Sequence, residues 1–209
     1  FDFEVVDDSE SGVEASGSYV VNIGAATDLA NDNGTTDEDS VLSGLNVLAN
    51  DTGTNLQVVK HDPQSTLGAS VSVNAQGDVN YDPTSAPDLQ ALDDNDTAQD
   101  SFTVTINDFA NVNTNSTVTI TVSGINDAPV VAGENVSGSE EGQISLNLLA
   151  NDSDIDANDV LSVASFNAND PGTFISDKGA TVSVGADGSF SYDPSSSLEL
   201  TSLLDGSSA

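Results

Sequence analysis

Apolar residues along this chain alternate with polar ones over short runs, and no segment repeats them at the spacing of an amphipathic helix. Phe102, Val104 and Ile106 occupy every second position of one run, and Val118, Ile120 and Val122 do the same in the next. Such alternation sets one row of side chains on one face of a strand, and Val, Ile and Thr suit a half-buried pleated surface. Strands are predicted at 41–48, 56–60, 69–73, 78–81, 101–107 and 116–123, separated by turns rich in Asn, Asp, Gly and Pro. Several short strands within about 100 residues indicate an all-β chain of the Greek-key β-sandwich class.

The pattern then repeats. Val47-Leu-Ala-Asn-Asp51 returns as Leu148-Leu-Ala-Asn-Asp152, and Val73-Asn-Ala-Gln-Gly-Asp-Val-Asn-Tyr-Asp-Pro83 returns as Val184-Gly-Ala-Asp-Gly-Ser-Phe-Ser-Tyr-Asp-Pro194. The second copy is longer after Asp152 and before Val184, both loops in the strand reading, where insertions cost little. One complete sandwich is expected over 24–127, and a second over 128–209 that lacks the counterparts of its last two strands. Residues 1–23 match that missing pair. Phe1, Phe3 and Val5 alternate, and Tyr19, Val21 and Ile23 follow like the closing strand.

Charge narrows the partners. The 209 residues carry 35 Asp and Glu against two lysines (Lys60 and Lys178) and no arginine, a net charge of -33. Phosphate binding needs Lys and Arg to displace counterions, so nucleic acid and anionic membranes are excluded as partners, and divalent cations are the obvious counter-charge. No apolar run approaches the roughly 20 residues that cross a bilayer. Without cysteine, neither a disulfide nor a thiolate metal site contributes. No signal peptide is visible and the chain opens on Phe1, so a mature product or an excised segment is expected.

The candidate chemistry is oxygen ligation. Ca²⁺ takes six to eight oxygens, and Asp152-Ser-Asp154-Ile-Asp156-Ala-Asn-Asp159 offers alternate carboxylates that a loop can aim at one ion. The loop does not match the EF-hand pattern, because no glycine sits at position 6 and no glutamate at position 12. The first copy has Asp51-Thr-Gly-Thr-Asn55 there instead, which leaves Asp28, Asp37, Glu38 and Asp39 as weaker ligands in front of it. The alternative for all these acids is a solvated loop. Catalysis has little to stand on: His61 is the single histidine and reads as a polar loop residue, so no enzyme is expected. There is no Trp, and Tyr81, Tyr192, Phe102 and Phe190 read as core or turn packing.

The Leu-Ala-Asn-Asp strand end, the Gly-x-x-x-Tyr-Asp-Pro motif, the Asp100-Ser-Phe-Thr-Val-Thr-Ile106 strand and the linker Gly124-Ile-Asn-Asp-Ala-Pro129 together resemble the cadherin-like, VCBS-type repeats of bacterial extracellular RTX-type adhesins. The resemblance covers nearly all of the chain. It implies tandem cadherin/Ig-like β-sandwiches outside the cell, rigidified by Ca²⁺ at their junctions. On that footing Asp82, Asn126, Asp127, Glu140 and Glu141 join Asp152, Asp154, Asp156 and Asp159 as expected ligands.

Three functional expectations result. In the first, residues 1–23 of one molecule complete the sandwich at 128–209 of the next, a donor-strand contact that propagates head to tail into a filament. In the second, the chain is an excised extender segment of a long adhesin. The third, from another class, is a carbohydrate-binding module of a secreted enzyme, which an exposed aromatic row would support. Closure of the two ends within one molecule is opposed by the rigid sandwich between them.

Overall fold

The computed structural model describes residues 2–6, 14–18, 26–108 and 110–203. The chain divides into two compact units, one of residues 1–36, 40–86 and 99–122, the other of 37–39, 87–98 and 123–209. At the N-terminus β1 (Asp2–Val6) pairs antiparallel with β2 (Glu14–Ser18) in a sheet of two strands. The partner of β1 thus precedes the run expected to follow it; Phe1, Tyr19, Val21 and Ile23 lie outside the described residues.

The first unit is a sandwich. Its larger sheet has the order β3 (Asp32–Asp37), β9 (Asn113–Ser123), β8 (Thr97–Asn107), β5 (Gln57–His61), and its smaller sheet the order β4 (Leu42–Asn46), β7 (Asp78–Asp82), β6 (Ser70–Val73). The period-two pattern works out physically along β8 and β9. Phe102, Val104 and Ile106 are buried, as are Val118, Ile120 and Val122, each a residue whose burial is worth about 1.5–3 kcal/mol. Across from them Tyr81 of β7 stacks on Phe102 at 6.5 Å between ring centroids. The all-β reading is correct: among the described residues the helical segments are two three-residue 3₁₀ turns, Pro194–Ser196 and Leu200–Ser202.

Two details differ from the sequence reading. Strand β3, Asp-Asn-Gly-Thr-Thr-Asp, carries no apolar residue and was not expected; its neighbour in the sheet is β9. His61 closes β5 rather than lying in a loop, half-buried, with Nδ1 2.9 Å from the Asp62 carbonyl.

The β6–β7 turn shows how the repeat motif works. Gly77 adopts φ 89°, a left-handed conformation that costs glycine nothing, and the Asn74 side chain accepts from the amides of Gln76 and Asp78 at 3.0 and 2.9 Å. Gly188 repeats the conformation at φ 80° between β12 (Thr181–Val184) and β13 (Ser189–Asp193).

The second unit has one four-stranded antiparallel sheet, in the order β10 (Ile144–Asn147), β13, β12, β11 (Thr173–Ile175). Its register copies the first repeat: Tyr192 pairs with Ile144 and Val182 as Tyr81 pairs with Leu42 and Val71. Its cover does not. Tyr81 and Val79 are buried, whereas Tyr192 and Phe190 remain half-exposed, with Phe166 against Phe190 at 6.4 Å.

Candidate metal centre

Three stretches of the second unit supply a cluster of carboxylates. Glu38 follows directly on β3, and its amide donates to the Ser123 carbonyl at the end of β9, 3.1 Å. That bond sets Glu38 beside the start of the linker, where its Oε1 accepts from the Ile125 amide at 2.8 Å. Asp156 comes from the loop after Asp152; its Oδ2 accepts from the Asp127 amide at 2.7 Å, and its own amide donates to Asp154 Oδ1 at 3.2 Å. Carboxylate oxygens of Glu38, Asp127 and Asp156 lie within 4.8 Å of one another, and so do those of Asp154, Asp156 and Asp159. Asp156 belongs to both groups.

Burial makes this more than a surface patch. Glu38 is 0% exposed and Asp156 4%. Glu38 Oε2 and Asp156 Oδ1 have no hydrogen-bond partner, although a buried polar atom left unpaired is costly. Electrostatics agree. Burial raises the Glu38 carboxyl above its usual range, and the charges of Asp156, Asp39 and Asp127 raise it further, against the Ile125 amide. Asp127 is raised by desolvation and then by Asp39, Asp156 and Asp154. Asp159 is raised by desolvation and then by Asp154, Asp156, Asp93 and Asp94. Acids that oppose one another's ionisation, with orphaned oxygens among them, fit a hard divalent cation that binds oxygen alone.

Not every expected ligand lies in these two groups. Asp82 caps the Tyr-Asp-Pro turn, its Oδ1 accepting from the Thr84 amide at 3.1 Å and hydroxyl at 2.7 Å; Asp193 does the same for Ser195 at 3.0 and 2.6 Å. Asp152 holds the Ala132 amide at 2.8 Å, so its Oδ1 serves the chain's own backbone. Glu140 and Glu141 sit in the turn before β10, outside both groups. Asn126 donates its side-chain amide to the Asp127 carbonyl and its backbone amide to Asp94 Oδ1 at 3.3 Å. Of the weaker set, Glu38 is central, Asp39 raises its neighbours, Asp37 keeps a buried Oδ1 without a partner, and Asp28 bridges Thr52 in the first unit.

Sequence reading passed over Asp93 and Asp94. Asp93 accepts from the Asn158 side chain and Asp94 from Asn126, which brings the acidic run 93–96 to the cluster. That run was visible in the sequence, but its place beside the linker was not. Gly124 explains the closeness: a Cβ there would stand 2.2 Å from the Asp93 carbonyl oxygen and 2.6 Å from that of Leu92.

Two stretches of the chain, residues 24–121 and 126–204, match the family model described as a bacterial Ig domain. The chain belongs to the bacterial Ig domain family. Glu38 falls in the first bacterial Ig domain, and Asp127, Asp154, Asp156 and Asp159 in the second. No curated protein matches. Solved structures similar to the chain include mouse protocadherin-24 EC1-3, at 15% identity and a TM-score of 0.41 over 98% of this chain and 69% of that one. A protocadherin gammaB7 EC3-6 cis-dimer follows at 12% and 0.39, over 100% and 51%, and protocadherin gamma C5 EC1-3 at 14% and 0.35, over 88% and 62%. The chain thus spans about half of the second structure and under two thirds of the third.

Proposed function

We propose that this tandem of bacterial Ig domains is a structural, Ca²⁺-dependent repeat segment of an extracellular protein of the adhesin type. The orphaned, buried oxygens of Glu38 and Asp156 carry the reading. Glu38, Asp127, Asp154, Asp156 and Asp159 would hold the metal, with Asp39, Asp93 and Asp94 adding negative potential. The ion supplies the counter-charge that lets these acids stay ionised together, so binding ties the 37–39 turn, the linker and the 152–159 loop into one element. Extracellular modules of this kind work with Kd on the order of 10⁻⁴–10⁻³ M. Calorimetric titration of the full chain with calcium tests it: a Glu38→Gln/Asp156→Asn variant should bind fewer equivalents of calcium than the parent chain, and an equal stoichiometry in the variant overturns it.

A second reading concerns assembly. Tyr192 and Phe190 are half-exposed where Tyr81 and Val79 are buried, and the β1–β2 hairpin pairs only with itself among the described residues. Residues 1–23 of a neighbouring molecule would cover the sheet of the second unit and link copies head to tail. Deleting residues 1–23 should abolish calcium-supported oligomers in sedimentation; oligomers that persist overturn the donor-strand idea, and a full chain that stays monomeric favours the extender-segment alternative. The carbohydrate-module alternative would need an exposed aromatic row, and Phe166, Phe174, Phe190 and Tyr192 are each partly buried.

A further inference from the structure

We propose that Asp32 and Asp51, with Asp28 beside them, form a second divalent-cation site in the first unit, separate from the Glu38 cluster. Asp32 opens β3 on the same face as Gly34, where an added Cβ would meet Ile120 and Leu42 of the core. A carboxylate on that face is 4% exposed, and its Oδ2 has no hydrogen-bond partner. Asp51 also keeps a buried Oδ2 without a partner, while its Oδ1 accepts from the Ala30 amide at 2.8 Å. Two ionised carboxylates offer acceptors only, so no hydrogen bond can join them to each other, and a cation between them would satisfy both orphaned oxygens. Burial first, then the Asp51 charge, push Asp32 up to about 6 against the Asn50 side chain; burial first, and after it the Asp28 charge, raise Asp51 against the Ala30 amide.

The second repeat provides an internal control. There Asp152 holds Ala132 as Asp51 holds Ala30, and Val130 bridges Ser153 as Asp28 bridges Thr52. The same contacts therefore form with Val130 where the first repeat has Asp28; beyond them the repeats part, since Asp32 enters β3 whereas Glu134 is exposed in a segment without strand. The bridge thus forms without a carboxylate at the Asp28 position, which leaves Asp28 free to serve a ligand. With oxygen donors only, in a loop that main-chain carbonyls and water can complete, Ca²⁺ is the fitting ion.

The test counts ions. In a Glu38→Gln/Asp156→Asn background, equilibrium dialysis of the full chain against calcium at neutral pH should find a bound ion that Asp32→Asn removes, a loss of one equivalent per chain. Asp51→Asn, which retains the oxygen that accepts from Ala30, should remove it too. Unchanged stoichiometry in both variants overturns the site. Melting in excess chelator separates a ligand from a structural role: Asp32→Asn should melt above its parent without calcium and gain less from its addition, whereas a lower melting temperature in both conditions overturns the proposal. Loss of calcium from Asp32→Asn with no effect of Glu38→Gln/Asp156→Asn would sink the cluster reading and leave this site standing.

Discussion

The Tyr81 hydroxyl donates to Asp100 Oδ2 at 2.6 Å, and both residues are buried, Tyr81 at 0% and Asp100 at 1% exposure. Asp100 Oδ1 accepts the amides of Leu67 and Ser101 at 2.8 Å each, so the carboxylate pins three segments of the first sandwich. Tyr81→Phe leaves that charge one donor short. Hydrogen bonds to charged groups contribute about 1.5–3 kcal/mol, and a loss in that range is expected in denaturant unfolding. Tyr192→Phe, at the half-exposed counterpart, should stay within about 0.5 kcal/mol.

The same pair sets an alkaline limit. Burial, then the hydrogen bond to Asp100 and its charge, raise the Tyr81 phenol above the ordinary value. A raised folded-state value means the stabilisation is complete below the unfolded pKa, about 10, and is lost as pH climbs from there toward the folded value. Unfolding midpoints followed from pH 9 to 12 should fall for the wild-type chain, and the fall should be shallower for Tyr81→Phe.

Gly124→Ala tests how closely the linker must approach. The new Cβ would collide with the carbonyls of Asp93 and Leu92, which are backbone atoms and cannot swing away. Displacing that contact moves Asp94 from the Asn126 amide and loosens the cluster. The expected result is calcium affinity lowered by tenfold or more in calorimetry, about 1.4 kcal/mol.

Chelation should act on the linker first. Without a counter-ion, acids packed within the ~8 Å screening length of physiological salt repel one another. Excess chelator should therefore expose residues 124–130 to limited proteolysis, and change the small-angle scattering profile, at temperatures where circular dichroism still reports intact strands. Superimposable profiles with and without calcium would contradict this.

Asp82 separates a cap from a ligand. Its side chain serves Thr84, as Asp193 serves Ser195. Asp82→Ala should lower stability by about 1 kcal/mol, a typical hydrogen-bond loss, and leave calcium stoichiometry unchanged.

Strands and repeats were legible because both are local. Alternation along 101–107 and 116–123 determines which residues turn inward, and Asn74 with Gly77 builds its own turn from neighbours a few residues away. The run 152–159 likewise announced itself as a cation loop, and Asp154, Asp156 and Asp159 do share one cluster. Asp152 reads the same in sequence yet holds a backbone amide, because the 130–132 segment lies against it.

What the sequence determined by itself is the all-β period, the tandem repeat and the acidic excess, since each depends on residue type and short spacing alone. Tertiary structure decided the rest. Strand β3 has no apolar face, so it is defined by its place beside β9 rather than by its own side chains. Its placement turns Asp32 toward the core and delivers Glu38 to the linker. Carboxylates gather into a candidate cation site when burial strips them of water and distant acids converge on them, and that convergence is a property of distance in space rather than of position along the chain.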